Sequence, residues 1–186
     1  MKNKMLGKIY KGKENLKDKI ARYGFNMYPS NVFTGGQMTY IAPCRTEILV
    51  TQKRNWRTRG LFGNVFGGLM YAATDTLPMA LLHFNIDRKK YLLWDKSGEI
   101  IYKKPAYCKF LFTHVCITPE YIQQLNEELE ANGVCNAEFR FDIVDINDVV
   151  YASIFKVVHI ENKAQYNARK QAKGQGYEAS SAIMKR

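Results

Sequence analysis

The sequence has few cysteines and fewer histidines, and neither kind is clustered. Cys44, Cys108, Cys116 and Cys135 form no Cys-x-x-Cys pair, and His83, His114 and His159 are dispersed along the chain. That spacing argues against a zinc site and against a disulfide framework, so no metal is expected. Three of the four cysteines lie in apolar, strand-like surroundings, where a reduced thiol behaves as a small hydrophobe. A reducing cytoplasm is the expected compartment. The chain lacks a serine nucleophile elbow, a P-loop and a dinucleotide fingerprint. Long hydrophobic runs are scarce as well. The N-terminal stretch MKNKMLGKIYKGKENLKDK has the lysines of a signal peptide without its apolar centre. Residues 67–84 are the one candidate membrane span, yet they contain Thr74, Asp75, Thr76 and Pro78. A central charge is costly in lipid, so no membrane helix is expected.

Acid is also short, with 17 Asp and Glu against 28 Lys and Arg, a formal charge of +11. Residues 1–22 hold eight bases against two acids and residues 161–186 six against two, which leaves only +1 for residues 23–160. Basic ends around a nearly neutral centre fit solvating termini better than a nucleic-acid footprint, and nucleic acid is not an expected partner.

What is present is a chain of 186 residues, enough for one domain with a real core. Three segments are expected: a basic N-terminal stretch with a short helix over 1–24, a domain over 25–160, and a basic, flexible tail over 161–186. In ENLKDKIARYGF, Leu16, Ile20 and Tyr23 share one side of a helix. A strand is expected over 37–52, interrupted near Pro43. A polar connection, KRNWRTRGLFGN, leads to a long apolar helix from about Val65 to Phe84. Strand patterns follow in residues 91–105 and 106–117. An amphipathic helix begins after Thr118 and stops near Gly133, with Ile122, Leu125 and Leu129 on its apolar face. NAEFRFDIVDI alternates cleanly and returns through Asn147-Asp148 as a hairpin. This order describes an α+β protein with an antiparallel sheet. A helix as apolar as 65–84 must be wrapped on most sides, and a curved sheet can do so.

Within that helix Asp75 is alone, with no basic residue in NVFGGLMYAATDTLPMALLHF. Asn55, Gly63, Gly67 and Gly68 precede it, Asp75 lies seven residues after Gly68, and Lys104-Pro105-Ala106 closes the next strand pattern. In these residues the sequence resembles the hotdog-fold thioesterases, particularly the phenylacetyl-CoA and hydroxybenzoyl-CoA thioesterase-like group, over roughly residues 25–160. The likeness is nearest to a thioesterase-like branch with a helix before the last hairpin. It implies the hotdog fold, a curved antiparallel β-sheet wrapped around a long central helix. It also implies a thioester substrate on coenzyme A or an acyl carrier, no other cofactor, and a homodimer or dimer of dimers. The family's usual His before the glycine pair is absent, and Val65 and Phe66 occupy that region.

The resemblance assigns roles that elementary chemistry can support. Gly67 and Gly68 at a helix start would offer backbone N–H groups to a thioester oxyanion. Asp75 lies about 10 Å further along the axis at 1.5 Å per residue, too far to serve the same carbonyl. In the family the acid faces the glycine turn of a neighbouring subunit, so Asp75 would act as general base or nucleophile across a dimer interface. Asn55 would bond the carbonyl or a water, Arg57, Arg59 and Lys104 would meet coenzyme A phosphates, and Val65 and Phe66 would contact substrate. Each residue has a plainer reading. Asp75 could cap a second helix starting at Pro78, the glycines could serve close packing, Asn55 could make a turn, and the bases could be solvated. Trp56 reads as a loop anchor and His114 as a structural residue. A non-catalytic acyl-thioester binding module is the alternative function, favoured by the missing His.

Overall fold

The computed structural model describes residues 14–172. The expectations for residues 1–13 and 173–186, within the two basic ends, fall outside the described residues. Helix α1, Leu16–Met27, starts at Asn15, whose side chain accepts from the Asp18 amide. A short helix α2, Pro29–Thr34, follows. Strands β1, Gly36–Ile41, and β2, Glu47–Lys53, form a hairpin across the interruption expected at Pro43. The central apolar segment makes two helices, α3 over Gly67–Ala72 and α4 over Leu77–Asn85. Strands β3, Tyr91–Tyr102, and β4, Phe110–Cys116, come next, then helix α5, Pro119–Asn132. Thr118 caps α5 through the Tyr121 amide, and Gly133 ends it at φ 73°. The hairpin β5, Val134–Val144, and β6, Val150–Asn162, precedes a last helix α6, Lys163–Ala172.

All six strands join one antiparallel sheet in the order β1-β2-β4-β5-β6-β3. Alternation puts Phe139, Phe141 and Ile143 of β5 and Ile154, Val158 and Ile160 of β6 on the side facing Leu77, Leu81 and Leu82 of α4. Leu125 and Leu129 of α5 complete this core. Gly36 permits the closest helix–sheet approach, since a Cβ there would stand 2.7 Å from the Cβ of Ala73. The long strand β3 stays continuous through Ser97-Gly98, with a bulge between Asp95 and Ser97. It lies at one end of the sheet, so among the described residues its outer side is an open edge.

Two expectations change. Helix α1 forms, but Leu16, Ile20 and Tyr23 are exposed and the residue it buries is Asp18. Arg45 reaches Asp18 at 2.7 Å, Asn26 exchanges two hydrogen bonds with the Met38 backbone, and Phe25 packs on the core, so these contacts rather than the Leu16, Ile20 and Tyr23 face hold the helix. Residues 161–172 end a strand and form α6 instead of a flexible tail. Arg169 bonds the buried Glu161 at 2.8 Å, and the Tyr166 ring lies 6.0 Å from that of Trp94.

Candidate active site

The break in the central helix has a local cause. Pro78 has no N–H to return to the Thr74 carbonyl. Thr74 Oγ1 donates instead to the Tyr71 carbonyl at 2.9 Å, and the Leu77 amide reaches Thr74 O at 3.1 Å. Asp75 stands in this turn. Thr76, not Asp75, occupies the N-cap position of α4, and it makes no side-chain cap bond. Asp75 Oδ1 accepts from Nζ of Lys156, and the Tyr71 hydroxyl also interacts with the Asp75 carboxylate. The side chain is 35% exposed.

Lys156 is the neighbour of Asp75 that sequence reasoning missed. It lies on β6 in phase with Ala152, Ile154, Val158 and Ile160, all buried, so its side chain enters the core face at 3% exposure. The signal was legible in VYASIFKVVHI, where one base replaces an apolar residue on the inward register. A buried ammonium is unfavourable unless paired. Lys156 pairs twice, with Asp75 and with Asp95 Oδ2 at 3.1 Å, the latter placed by the bulge in β3. Burial pulls the Lys156 pKa down, but the hydrogen bonds to Asp75 and Asp95 more than offset it, so the net shift is upward. The Tyr71 ring lies 5.6 Å from the ammonium. Burial raises the Tyr71 pKa, the Lys156 charge opposes that rise, and the Asp75 charge adds to it. Tyr71 fits because Gly98, opposite Lys156 in the β3–β6 register, has no side chain. A Cβ there would collide with the Tyr71 hydroxyl.

A groove of about 480 Å³ opens at the start of α3, lined by residues 64–68, Met70 and residues 102–106. It gathers Val65, Phe66, Gly67, Gly68 and Lys104, five of the nine residues expected at the site. The amides of Gly67 and Gly68 have no hydrogen-bond partner among the described residues, as expected of first-turn donors. Both glycines are tightly covered. A Cβ on Gly67 would stand 2.9 Å from the Tyr102 ring, and one on Gly68 2.9 Å from the Phe66 ring. Burial raises the Tyr102 pKa. From below, Gln52, also missed, donates to the carbonyls of Thr34 at 2.8 Å and Leu69 at 2.9 Å and ties α3 to β2. Asp75 is not part of the groove lining.

The other expected residues lie outside the groove. Asn55 Oδ1 accepts from the amides of Arg57 at 2.9 Å and Thr58 at 3.2 Å, an Asx turn. Arg57 and Arg59 are exposed on the same loop. Lys104, which does line the groove, also sits 5.0 Å over the Tyr151 ring. His114 Nε2 lies 3.1 Å from Glu47. Trp56 does not anchor its loop, being 84% exposed. No group of His, Cys, Asp and Glu suited to a metal occurs among the described residues.

No family model matches the sequence, and no curated protein matches it. Solved structures match the architecture. A protein of unknown function from Pseudomonas aeruginosa, described as a probable thioesterase, superposes with a TM-score of 0.72 at 16% identity over 81% of this chain and 99% of its own. A protein of unknown function from Chlorobaculum tepidum gives 0.63 at 13% identity, covering 77% and 93%. A thioesterase from Haemophilus influenzae gives 0.60 at 12% identity, covering 83% and 95%. At such identities the likeness speaks for architecture alone. The chain has the hotdog fold, an antiparallel sheet curved around a central helix, as the resemblance in its sequence implied.

Proposed function

We propose that the protein hydrolyses an acyl thioester, carried on coenzyme A or on an acyl carrier, with Asp75 as general base or nucleophile. The observation that carries this reading is the state of Asp75. It stands in the break of a buried helix, is freed from its own backbone, and is held at Oδ1 by Lys156 with its side chain 35% exposed. A carboxylate used only to cap a helix would be turned onto the amides of α4. The carboxylate would take a proton from water or attack a carbonyl carbon. The amides of Gly67 and Gly68 would stabilise the oxyanion that forms as the carbonyl carbon becomes tetrahedral. Val65 and Phe66 supply no side-chain donor, so those amides act without help from a histidine.

Asp75 and the glycine groove are separate in one chain, and the complete site requires two copies. The open edge of β3, which carries Asp95 beside Lys156, is the surface for that pairing. A second strand there would satisfy the free backbone groups of the edge. Arg57, Arg59 and Lys104 would bind the carrier's phosphates. The second reading, an acyl-thioester binding protein without turnover, is favoured by one observation: Lys156 already occupies Asp75 Oδ1.

Turnover of a panel of acyl-CoA thioesters by the wild type and by Asp75→Asn separates the two. Catalysis predicts a loss in kcat of about 10²–10⁴ with KM little changed. Acyl-CoA binding by a wild type that shows no turnover would establish the binding module instead.

A further inference from the structure

We propose that the loop of residues 54–66, together with the adjoining segment 103–110, is a docking surface for an anionic lipid bilayer. The two segments form one surface. The Val65 amide donates to Ala106 O at 2.8 Å, the Arg54 amide donates to Lys109 O at 2.9 Å, and Gly63 faces the Tyr107 ring. At the tip, the Gly63 amide closes a turn on Gly60 O at 3.0 Å, and Leu61 and Phe62 take its two corner positions. Such corners ordinarily carry polar or small residues. Leu61 is 100% exposed, Phe62 85% and the neighbouring Trp56 84%. Bulky apolar groups presented together on a surface mark an interaction site.

The loop is held in shape. Buried Thr58 donates to Lys53 O at 2.8 Å and accepts from the Asn55 amide at 3.0 Å, and Arg54 Nη1 bonds Gly63 O at 2.9 Å. The apolar tip is therefore presented by a pinned scaffold.

Charge points to the occupant. Residues 53–66 carry four Lys and Arg, residues 103–110 carry three, and neither segment contains an Asp or Glu. Six of these seven bases are exposed. The near-neutral average over residues 23–160 hides this patch, because the compensating acids lie on other elements. Tryptophan, leucine and phenylalanine at a tip, ringed by bases, suit the boundary between headgroups and acyl chains of an acidic membrane. A single-stranded nucleic acid would also meet bases and aromatic rings, but Leu61 has no face on which a nucleobase could stack. This surface borders the glycine groove and shares Arg57, Arg59 and Lys104 with the proposed carrier contact, but it lies apart from the Asp75 cluster, and vesicle binding is read without any thioester.

The test uses the full chain in a Trp94→Phe background, so that Trp56 is the sole indole. The probes are vesicles of phosphatidylglycerol with phosphatidylcholine and vesicles of phosphatidylcholine alone. Co-sedimentation with the anionic vesicles and a blue shift of Trp56 emission are expected, both weakened by salt. Leu61→Ser/Phe62→Ser should lower vesicle affinity by at least about tenfold with an unchanged unfolding midpoint. Arg57→Gln/Arg59→Gln should lower it by about fivefold per charge. Undiminished vesicle binding by the Leu61/Phe62 variant would overturn the proposal, assigning any binding to the basic ends. A change of oligomeric state in that variant would overturn it in favour of contact between copies. Quenching of Trp56 by polyuridine, with no response to vesicles, would overturn it in favour of nucleic acid.

Discussion

Cations are handled in two opposite ways in this molecule. Lys156 is buried on the inner face of β6 with carboxylates on two other elements. Arg57, Arg59, Lys103 and Lys104 stand exposed on segments that contain no acid at all. The first arrangement is self-contained, because an ammonium inside a core must bring its counter-charges with it. The second is open, because water screens each charge and leaves it available to an outside anion. The difference separates a base that fixes the shape around Asp75 from bases left open to an outside anion.

The largest effect should come from stripping Lys156 of both partners. Asp75→Asn/Asp95→Asn leaves a buried ammonium uncompensated and should cost about 3–5 kcal/mol. The urea unfolding midpoint measures it. A loss below about 1 kcal/mol would mean that solvent reaches Lys156, and the contrast with the surface bases would disappear. Next comes Gly98→Ala, which forces the Tyr71 hydroxyl out of its seat and should cost about 1–3 kcal/mol. Adding Tyr71→Phe should recover part of that loss, and a double-mutant cycle reads the coupling.

A pH experiment sharpens the comparison further. The folded-state pKa of Lys156 is raised, because its bonds to Asp75 and Asp95 outweigh the opposing effect of burial. Its stabilising contribution is therefore fully present below the unfolded lysine value, about 10.4, and is lost as pH rises through the folded value. The stability difference between wild type and Lys156→Met should shrink above about pH 10.4 and stay level between pH 7 and 9. The smallest effect belongs to the exposed tip. Trp56→Ser should change stability by less than about 0.5 kcal/mol, since the residue is 84% exposed and packs into no core.

Much of the fold was legible because short-range signals and long-range packing agree. Thr118 and Gly133 bracket α5 as capping chemistry requires, and the alternation in β5 matches its buried face. Helix α1 was legible as a helix but not in its orientation, since a periodic apolar face does not reveal whether another element covers it. The glycine groove was partly legible: Gly67, Gly68 and Lys104 converge there, whereas Asn55 turns inward on its own loop. Lys156 could have been found from its strand register, although nothing in the sequence connects it to Asp75, 81 positions away.

The sequence by itself determined the elements, their order, and the break at Thr74-Pro78 that releases Asp75 from the helix. These follow from dihedral preferences, capping and the period of apolar residues, which act over a few positions. Tertiary structure alone decided that Asp75 and Asp95 share one buried lysine, and that the acid-free segment carrying Leu61 and Phe62 lies beside a second one, residues 103–110, distant in the chain. Those are juxtapositions of strands and loops, fixed by sheet order and burial, and local periodicity carries no record of which faces will meet.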